Sequence, residues 1–130
     1  LCRTKSVEIE TNGAISVRKF AEMDPRPILT LDYKTASSGM ESSNLPDNYR
    51  YLKHCDSVKF VVGDVGELET AVGIADSYGL WGRCNVLFSP QWGNIQPVDI
   101  VEFMKARKLN EARMQLQIHK FIWDPDMRGV

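Results

Sequence analysis

The chain has 130 residues, and its 16 Lys and Arg residues nearly balance its 17 Asp and Glu residues, giving a formal net charge of −1. It therefore lacks the cationic excess with which proteins bind nucleic acids or anionic membrane surfaces. Its 43% hydrophobic and 25% charged residues exclude a disordered chain. No apolar run approaches the length of about 20 residues that a membrane-spanning helix needs.

Five segments are predicted as strands, because they alternate apolar and polar residues or form short β-rich runs that end at Gly or Pro. They cover residues 6–10, 28–34, 57–62, 85–89 and 114–123.

Helical or irregular segments lie between these strands. Asp64 to Tyr78 carries apolar residues at helical spacing, with Asp64 as the capping residue. Pro97 to Lys108 begins with a proline, which suits the first position of a helix. The remaining predictions are short helices within 16–23 and 49–53 and a mobile loop over 35–48.

The alternation of strands and helices predicts an α/β fold, with a parallel sheet and helices packed on it. In such folds, functional side chains gather at the carboxyl ends of the strands. The sequence places polar residues at the ends of the first, second and fourth strands, namely Glu10, Thr11, Asn12, Asp32, Lys34 and Ser89.

Some of these polar residues also have a structural interpretation. Asn12-Gly13 is a common turn dipeptide, and Asp32 with Lys34 could form an ordinary surface ion pair. Lys59, in the third strand, is interpreted as lying along the sheet with its ammonium group in solvent.

The fifth predicted strand has an unusual alternation. Gln115, Gln117 and His119 would project from one face, opposite three apolar residues. Because a parallel strand is normally covered on both faces, such a polar column predicts either a solvent-facing surface or the lining of a polar site.

The cysteines bear on disulfides, metal sites and the cellular compartment, and the first residue bears on the origin of the chain. Cys2, Cys55 and Cys84 are odd in number and lack C-x-x-C spacing, so neither a disulfide framework nor a zinc site is expected. We expect idle thiols in a reducing cytoplasm. The chain begins at Leu1 without a signal peptide, so we expect a processed chain or a piece of a longer protein.

Five blocks of the sequence resemble the 7-carboxy-7-deazaguanine synthase family and follow the family's order. They are Glu10-Thr11-Asn12-Gly13, Thr30-Leu31-Asp32-Tyr33-Lys34, Val58-Lys59-Phe60-Val61-Val62-Gly63, Leu87-Phe88-Ser89-Pro90 and Gln115-Leu116-Gln117-Ile118-His119-Lys120. The first and last blocks together are fairly specific, whereas either one alone would be weak.

The family belongs to the radical S-adenosylmethionine enzymes. The resemblance implies a partial (β/α) barrel of mostly parallel strands with helices on its outer face. It also implies a lyase that converts 6-carboxytetrahydropterin to 7-carboxy-7-deazaguanine in queuosine and deazapurine biosynthesis. The implied cofactors are S-adenosylmethionine, a [4Fe-4S] cluster and Mg²⁺.

The three-cysteine motif with which such enzymes hold the cluster is absent from this sequence. The resemblance therefore implies that residues 1–130 are the carboxyl-terminal half of a single partial-barrel domain. We expect that this chain does not bind the cluster, has no catalytic or metal-ligating residue of its own and is inactive alone.

The resemblance also assigns binding roles. Those implied for S-adenosylmethionine fall on Glu10, Thr11, Asn12, Asp32, Lys34 and Ser89, and those for the pterin substrate on Gln117 and His119. The methionine end of S-adenosylmethionine carries both signs of charge, which acidic and basic side chains at one site can match. Gln and His side chains can read the amide-like edges of a pterin by paired hydrogen bonds. Contact between the terminal carboxylate of Val130 and the substrate stays open.

Two other functions stay open from the sequence. One is a radical S-adenosylmethionine activating enzyme that acts on a partner protein, and the other is a non-enzymatic α/β ligand-binding module. The block Gln117-Ile118-His119-Lys120 argues against the activating enzyme, because a protein substrate gives no reason for a polar column at the last strand. Since the first strand would be an uncovered edge of half a barrel, we expect a homodimer or other self-association through that edge.

Overall fold

The structure is a computed structural model that describes residues 3–127. Its five strands form one sheet in sequence order, and every neighbouring pair is parallel. The strands are β1 (Glu8–Thr11), β2 (Ile28–Tyr33), β3 (Ser57–Val62), β4 (Asn85–Pro90) and β5 (Ala112–Met114). The predicted α/β fold is confirmed, and the open sheet is consistent with a partial barrel.

Within residues 3–127 three α-helices and three 3₁₀ helices connect the strands, and a fourth α-helix follows β5. The α-helices are α1 (Arg18–Ala21), α2 (Val65–Ser77), α3 (Pro97–Ala106) and α4 (His119–Ile122). The 3₁₀ helices, Ala36–Ser38, Glu41–Ser43 and Pro46–Tyr51, occupy most of the segment predicted as a loop and the short helix after it. No helix within residues 3–127 is long and apolar enough to span a membrane.

The two long helices begin where the sequence predicts. The Asp64 side chain accepts a hydrogen bond from the backbone N–H of Glu67 at 2.8 Å and so caps α2. Helix α3 starts with Pro97, and Gln96 and Asp99 form a reciprocal capping box around it. These contacts pair backbone N–H groups that would otherwise have no partner at a helix start.

The hydrophobic core lies on one face of the sheet only. Strand β3 buries every second residue, Val58, Phe60 and Val62, against that face. Helices α2 and α3 cover it with apolar side chains such as Leu68 and Ile100. An all-parallel sheet is normally covered by apolar residues on both faces. The opposite face carries charged and polar side chains together with Val61 and Leu87, and it holds the candidate site.

The fifth strand is much shorter than predicted, and the prediction for 114–123 is wrong beyond Met114. The backbone N–H of Gln115 still donates to the carbonyl of Phe88 at 2.8 Å. The next bond of the parallel ladder would need the N–H of Pro90, which proline lacks. The chain therefore leaves the sheet, and Gln115, Gln117 and His119 do not form a column on a strand.

A buried carboxylate holds the amino-terminal edge of the sheet together. Asp56 is 0% exposed, and its side chain accepts hydrogen bonds from the backbone N–H groups of Leu29 at 2.9 Å and Lys53 at 2.7 Å. The guanidinium group of Arg26 forms an ion pair with it at 2.8 Å. Asp56 thus joins the start of β2 to the segment that enters β3.

Candidate functional site

Three charged side chains from neighbouring strands meet on the polar face of the sheet. Lys59 of β3 forms an ion pair with Asp32 of β2, at 3.0 Å from Nζ to Oδ1, and another with Glu10 of β1. The parallel register pairs Asp32 with Lys59, and it pairs Glu10 with Thr30. Because alternate residues of a strand share a face, all these side chains project to the same side. Glu10, Asp32 and Lys59 form what we call the charged triad.

The centre of the charged triad is shielded from water. The side chains of Lys59 and Asp32 are 16% and 20% exposed. Burial lowers the pKa of Lys59, but its hydrogen bonds and ion pairs with Glu10 and Asp32 outweigh this effect, so the pKa lies above its ordinary value. With two carboxylates against one ammonium group, the charged triad keeps a net negative charge that favours a cationic ligand group.

One oxygen of the charged triad has an unused hydrogen-bonding capacity. Asp32 Oδ1 is buried and has Lys59 Nζ as an ion-pair partner at 3.0 Å, and no other donor within residues 3–127 reaches this oxygen. Buried polar atoms are almost always hydrogen-bonded. This oxygen is therefore an acceptor suited to a ligand hydroxyl or ammonium group.

The structural interpretations of Lys59 and of the pair Asp32 and Lys34 are wrong. Lys59 does not send its ammonium group into solvent, and it is Lys59, not Lys34, that pairs with Asp32. The Lys34 backbone is held by Asn44, which accepts from the Lys34 N–H at 3.0 Å and donates to its carbonyl at 2.9 Å. Within residues 3–127 the ammonium group of Lys34 makes no hydrogen bond or ion pair, so this half-buried cation can meet an anionic ligand group.

The end of β1 forms a turn, as its dipeptide indicates. Asn12 Oδ1 accepts from the N–H of Ala14 at 3.1 Å, and Thr11 Oγ1 accepts from that of Gly13 at 3.3 Å. Gly13 adopts a φ of +67°, which favours glycine. The predicted site residues Thr11 and Asn12 thus lie beside Glu10, with their side-chain oxygens engaged in shaping the turn.

The other predicted residues lie around the end of β4. Ser89 is buried on the polar face, where it pairs with Val61 in the register. Gln117 reaches the same strand end, because its Nε2 donates to the carbonyl of Pro90 at 3.4 Å. His119 is the first residue of α4, outside the sheet, and the structure gives it no contact with the charged triad. The predicted site thus divides into the triad region over β1–β3 and a second region at the end of β4.

A cavity of about 250 Å³ lies in that second region. Its walls are mostly apolar and aromatic, and they include Trp92, Ile95, Phe121 and Gln117. The rings of Trp92 and Phe121 meet edge to face, with centroids 5.0 Å apart. Flat apolar walls with an amide group at one side suit a planar heterocyclic ligand.

The cysteines of the described region show no sign of a metal site. Cys55 is exposed, and Cys84 is buried, which raises the pKa of its thiol to about 11. Cys2 lies outside the described residues. No group of three or more His, Cys, Asp or Glu residues within 3–127 could hold a metal ion.

Fold and site together define an open parallel α/β sheet, consistent with a partial barrel, that carries charged and polar side chains on one face. Comparison with known proteins adds a family. The chain is 42% identical over 127 residues to the 7-carboxy-7-deazaguanine synthase of Clostridium acetobutylicum, covering 98% of this chain and 58% of that protein. Proteins of the same name from Chlorobaculum tepidum and Thermoplasma acidophilum are 35% and 36% identical, over 100% and 97% of this chain and 59% and 57% of their own lengths.

These matches confirm the resemblance: nearly the whole of this chain is homologous to 7-carboxy-7-deazaguanine synthases. The chain spans less than two thirds of the length of these relatives, as expected for a sequence that matches one part of the family's domain. No family model matches the chain, and no solved structure matches it.

Proposed function

We propose that this chain is the substrate-facing part of a radical S-adenosylmethionine enzyme that converts 6-carboxytetrahydropterin to 7-carboxy-7-deazaguanine. The observation that carries the proposal is the convergence of Glu10, Asp32 and Lys59 on the uncovered face of a parallel sheet. A charged site of this kind is unusual on a face that apolar residues usually fill. Homology to proteins named 7-carboxy-7-deazaguanine synthase supports the choice of reaction.

The residues on the polar face fit the methionine end of S-adenosylmethionine. The net negative charged triad suits its ammonium and sulfonium groups, and the unpaired Lys34 ammonium suits its carboxylate. Asp32 Oδ1 can accept a hydrogen bond in addition to its ion pair with Lys59, which suits a donor such as a ribose hydroxyl. In this proposal Glu10, Asp32 and Lys34 bind the cofactor, Lys59 orients the two carboxylates, and Thr11, Asn12 and Ser89 form the adjoining wall.

The described residues do not fit an iron–sulfur cluster or a bound Mg²⁺. A [4Fe-4S] cluster is held by cysteine thiolates, and residues 3–127 contain Cys55 and Cys84 on separate segments with no cluster of ligands around them. The role proposed for this chain is therefore binding, orientation and exclusion of water.

The aromatic cavity at the end of β4 is the proposed site for the pterin ring. Gln117 lies at its rim and can hydrogen-bond an amide-like edge, while Trp92 and Phe121 can pack against the ring faces. His119 follows on α4, two residues after Gln117, and we propose that it contacts the same ligand. The charged triad includes residues near the carboxyl ends of β1 and β2, and the aromatic cavity lies at the carboxyl end of β4. In this proposal S-adenosylmethionine and the pterin therefore approach each other along the same edge of the sheet.

Binding of S-adenosylmethionine to the 130-residue chain tests the proposal. We expect saturable binding in isothermal titration calorimetry and an affinity at least about tenfold lower for Asp32→Asn, because a charge-assisted contact is lost. The matched control is Asp47→Asn, whose carboxylate is exposed and pairs only with Arg50 on the surface of the same 3₁₀ helix. No binding by the unchanged chain, or equal affinities for both variants, would contradict the proposal.

The two alternative functions have less support. The polar column on a last strand, which argued against an activating enzyme, does not exist because β5 ends at Met114. What now disfavours an activating enzyme is the homology, because the relatives are named as synthases. A non-enzymatic binding module would use the same polar face, and homology to synthases favours the enzyme.

We also propose that the chain self-associates through β1. This strand pairs only with β2, and an apolar groove lined by Val7, Ile9, Phe20 and Met23 runs beside it. An uncovered strand edge next to an apolar surface favours pairing with a second chain. We expect a dimer in sedimentation velocity experiments, and a monomer for Met23→Lys, which changes an exposed side chain of this groove.

A control variant at the other end of the sheet shows whether loss of the dimer is specific to the β1 edge. Leu116→Lys changes an exposed apolar residue next to β5, at the other end of the sheet, and should leave the dimer intact. A monomeric wild-type chain at about 100 µM, well above the dissociation constant of a stable dimer, would refute self-association.

A further inference from the structure

Glu67 is a buried carboxylate at the carboxyl edge of the sheet that the proposed site does not use. It lies in the first turn of α2 and is 8% exposed. Its Oε2 accepts a hydrogen bond from the N–H of Gly63 at 2.7 Å, just after β3, and its Oε1 accepts one from the N–H of Ser37 at 2.8 Å, beyond the end of β2. One side chain therefore joins the ends of two neighbouring strands.

Further contacts extend this junction to β4. The Ser37 hydroxyl donates to Oε1 of Gln91 at 3.2 Å, and the Thr35 hydroxyl donates to the carbonyl of Val61 at 3.0 Å. The packing at Gly63 is close, because a Cβ there would come within 2.7 Å of the same Gln91 oxygen. Residues 35–37 are thus attached to the carboxyl edge at three points.

Helix capping alone does not account for this arrangement. Asp64 already caps α2, and a glutamate in the first turn commonly reaches back to a backbone N–H just before the helix, as Glu67 does to Gly63. The second carboxylate oxygen instead bonds Ser37, a residue remote in sequence. Burial raises the pKa of Glu67, but donation from Gly63 and Ser37 outweighs it and lowers the pKa, which keeps the carboxylate ionised.

The segment that Glu67 holds begins directly after Lys34. Asn44 fixes the Lys34 backbone from one side, and the anchored residues 35–37 fix the chain that leaves it on the other. We infer that Glu67 is a positioning residue that places Lys34 for the carboxylate of S-adenosylmethionine. This inference rests on the proposed function and adds a residue that does not touch the ligand.

A pair of ligands separates positioning of Lys34 from a general structural role. S-adenosylmethionine carries the amino-acid carboxylate, and decarboxylated S-adenosylmethionine lacks it but keeps the ammonium and sulfonium groups. For Glu67→Gln we expect S-adenosylmethionine affinity to fall about tenfold, the usual size of one charge-assisted contact, with the affinity for decarboxylated S-adenosylmethionine unchanged. Lys34→Met should show the same pattern, and the double variant should be no weaker than either single one.

The control is Glu69→Gln, two residues along α2, where the carboxylate is partly exposed and pairs with Arg107 on the surface. It should bind both ligands like the unchanged chain. If Glu67→Gln does not fold, Glu67→Asp keeps the charge but is too short to join Gly63 to Ser37, and it should give the same ligand-specific loss.

The possible failures are distinguishable. Equal loss of both ligands would give Glu67 a merely structural role, and no loss of either would remove it from the site; both results overturn the inference and leave the proposed function standing. If the unchanged chain binds neither ligand, the proposed function fails, and the inference fails with it.

Discussion

Replacing Asp56 by alanine is expected to lower the free energy of unfolding by about 3–5 kcal/mol, the usual effect of removing one partner of a buried ion pair. The Asp56 side chain is fully buried and pairs with Arg26, itself mostly buried. Without this carboxylate, the Arg26 charge and the N–H groups of Leu29 and Lys53 would stay buried without their acceptor. The loss is a large part of the ordinary stability of a domain, about 5–15 kcal/mol.

Urea unfolding followed by circular dichroism measures this effect. Asp47→Ala is the matched control, because its exposed carboxylate pairs only with the exposed Arg50, and exposed pairs contribute about 0–1 kcal/mol. If the Asp56→Ala chain does not fold, Asp56→Asn provides a milder variant that keeps one acceptor oxygen. An unfolding midpoint for Asp56→Ala equal to that of Asp47→Ala would contradict the prediction.

Lys59→Met is expected to have the second largest effect, a loss of about 1–3 kcal/mol, between the values for exposed and buried ion pairs. Methionine keeps most of the apolar stem and removes the charge. Glu10 and Asp32 then face each other without a cation on a half-buried surface, and they repel. Lys105→Met is the control, because Lys105 pairs with Glu102 on the exposed side of α3 and should change stability by less than about 0.5 kcal/mol.

The difference in stability between wild type and Lys59→Met is expected to change with pH in one direction only. Because the folded-state pKa of Lys59 is raised, its contribution to stability is fully present below the ordinary lysine pKa of 10.5 and is lost as the pH rises through the higher folded value. The difference between wild type and Lys59→Met should therefore be constant from about pH 7 to pH 10 and shrink above it. A difference that grows in alkaline solution would show that Lys59 is not held as a cation by the charged triad.

The charged triad also explains why one face of this sheet departs from the usual composition of parallel strands. Glu10, Asp32 and Lys59 occupy positions that apolar residues fill in sheets covered on both sides. Two carboxylates and an ammonium group on a half-buried surface add little stability by themselves. Their meeting on one face of three adjacent strands is consistent with the charged ligand proposed above.

Local patterns in the sequence were sufficient for most of the fold. Alternating apolar residues in β3, the Asp64 cap of α2 and Pro97 at the start of α3 act over a few neighbouring residues, so their effect can be read without knowing the rest of the chain. The same reasoning places Glu10, Asp32 and Ser89 at carboxyl strand ends, because parallel strands all end at the same edge of the sheet.

Tertiary structure alone decided how far β5 extends. Residues 114–123 have the composition of a strand, but the ladder stops where the neighbouring β4 presents Pro90, which has no N–H to donate. The missing donor is on β4, whereas the strand that it shortens is β5. The periodicity of 114–123 cannot reveal this effect of a neighbouring strand. Because the chain leaves the sheet after β5, His119 lies on a helix.

The partners within the site were likewise decided by the register between strands. The sequence predicts that Asp32 and Lys34 share a face of the second strand, yet β2 ends at Tyr33, and the sheet aligns Asp32 with Lys59 of β3 and brings Glu10 to the same ammonium group. In the same way Glu67 meets Ser37 only because two strand ends lie side by side. Sequence by itself determines which side chains are charged and which element carries them. Which of them touch depends on the alignment of segments far apart in the chain, because an ion pair or hydrogen bond requires contact distances that only the folded sheet establishes.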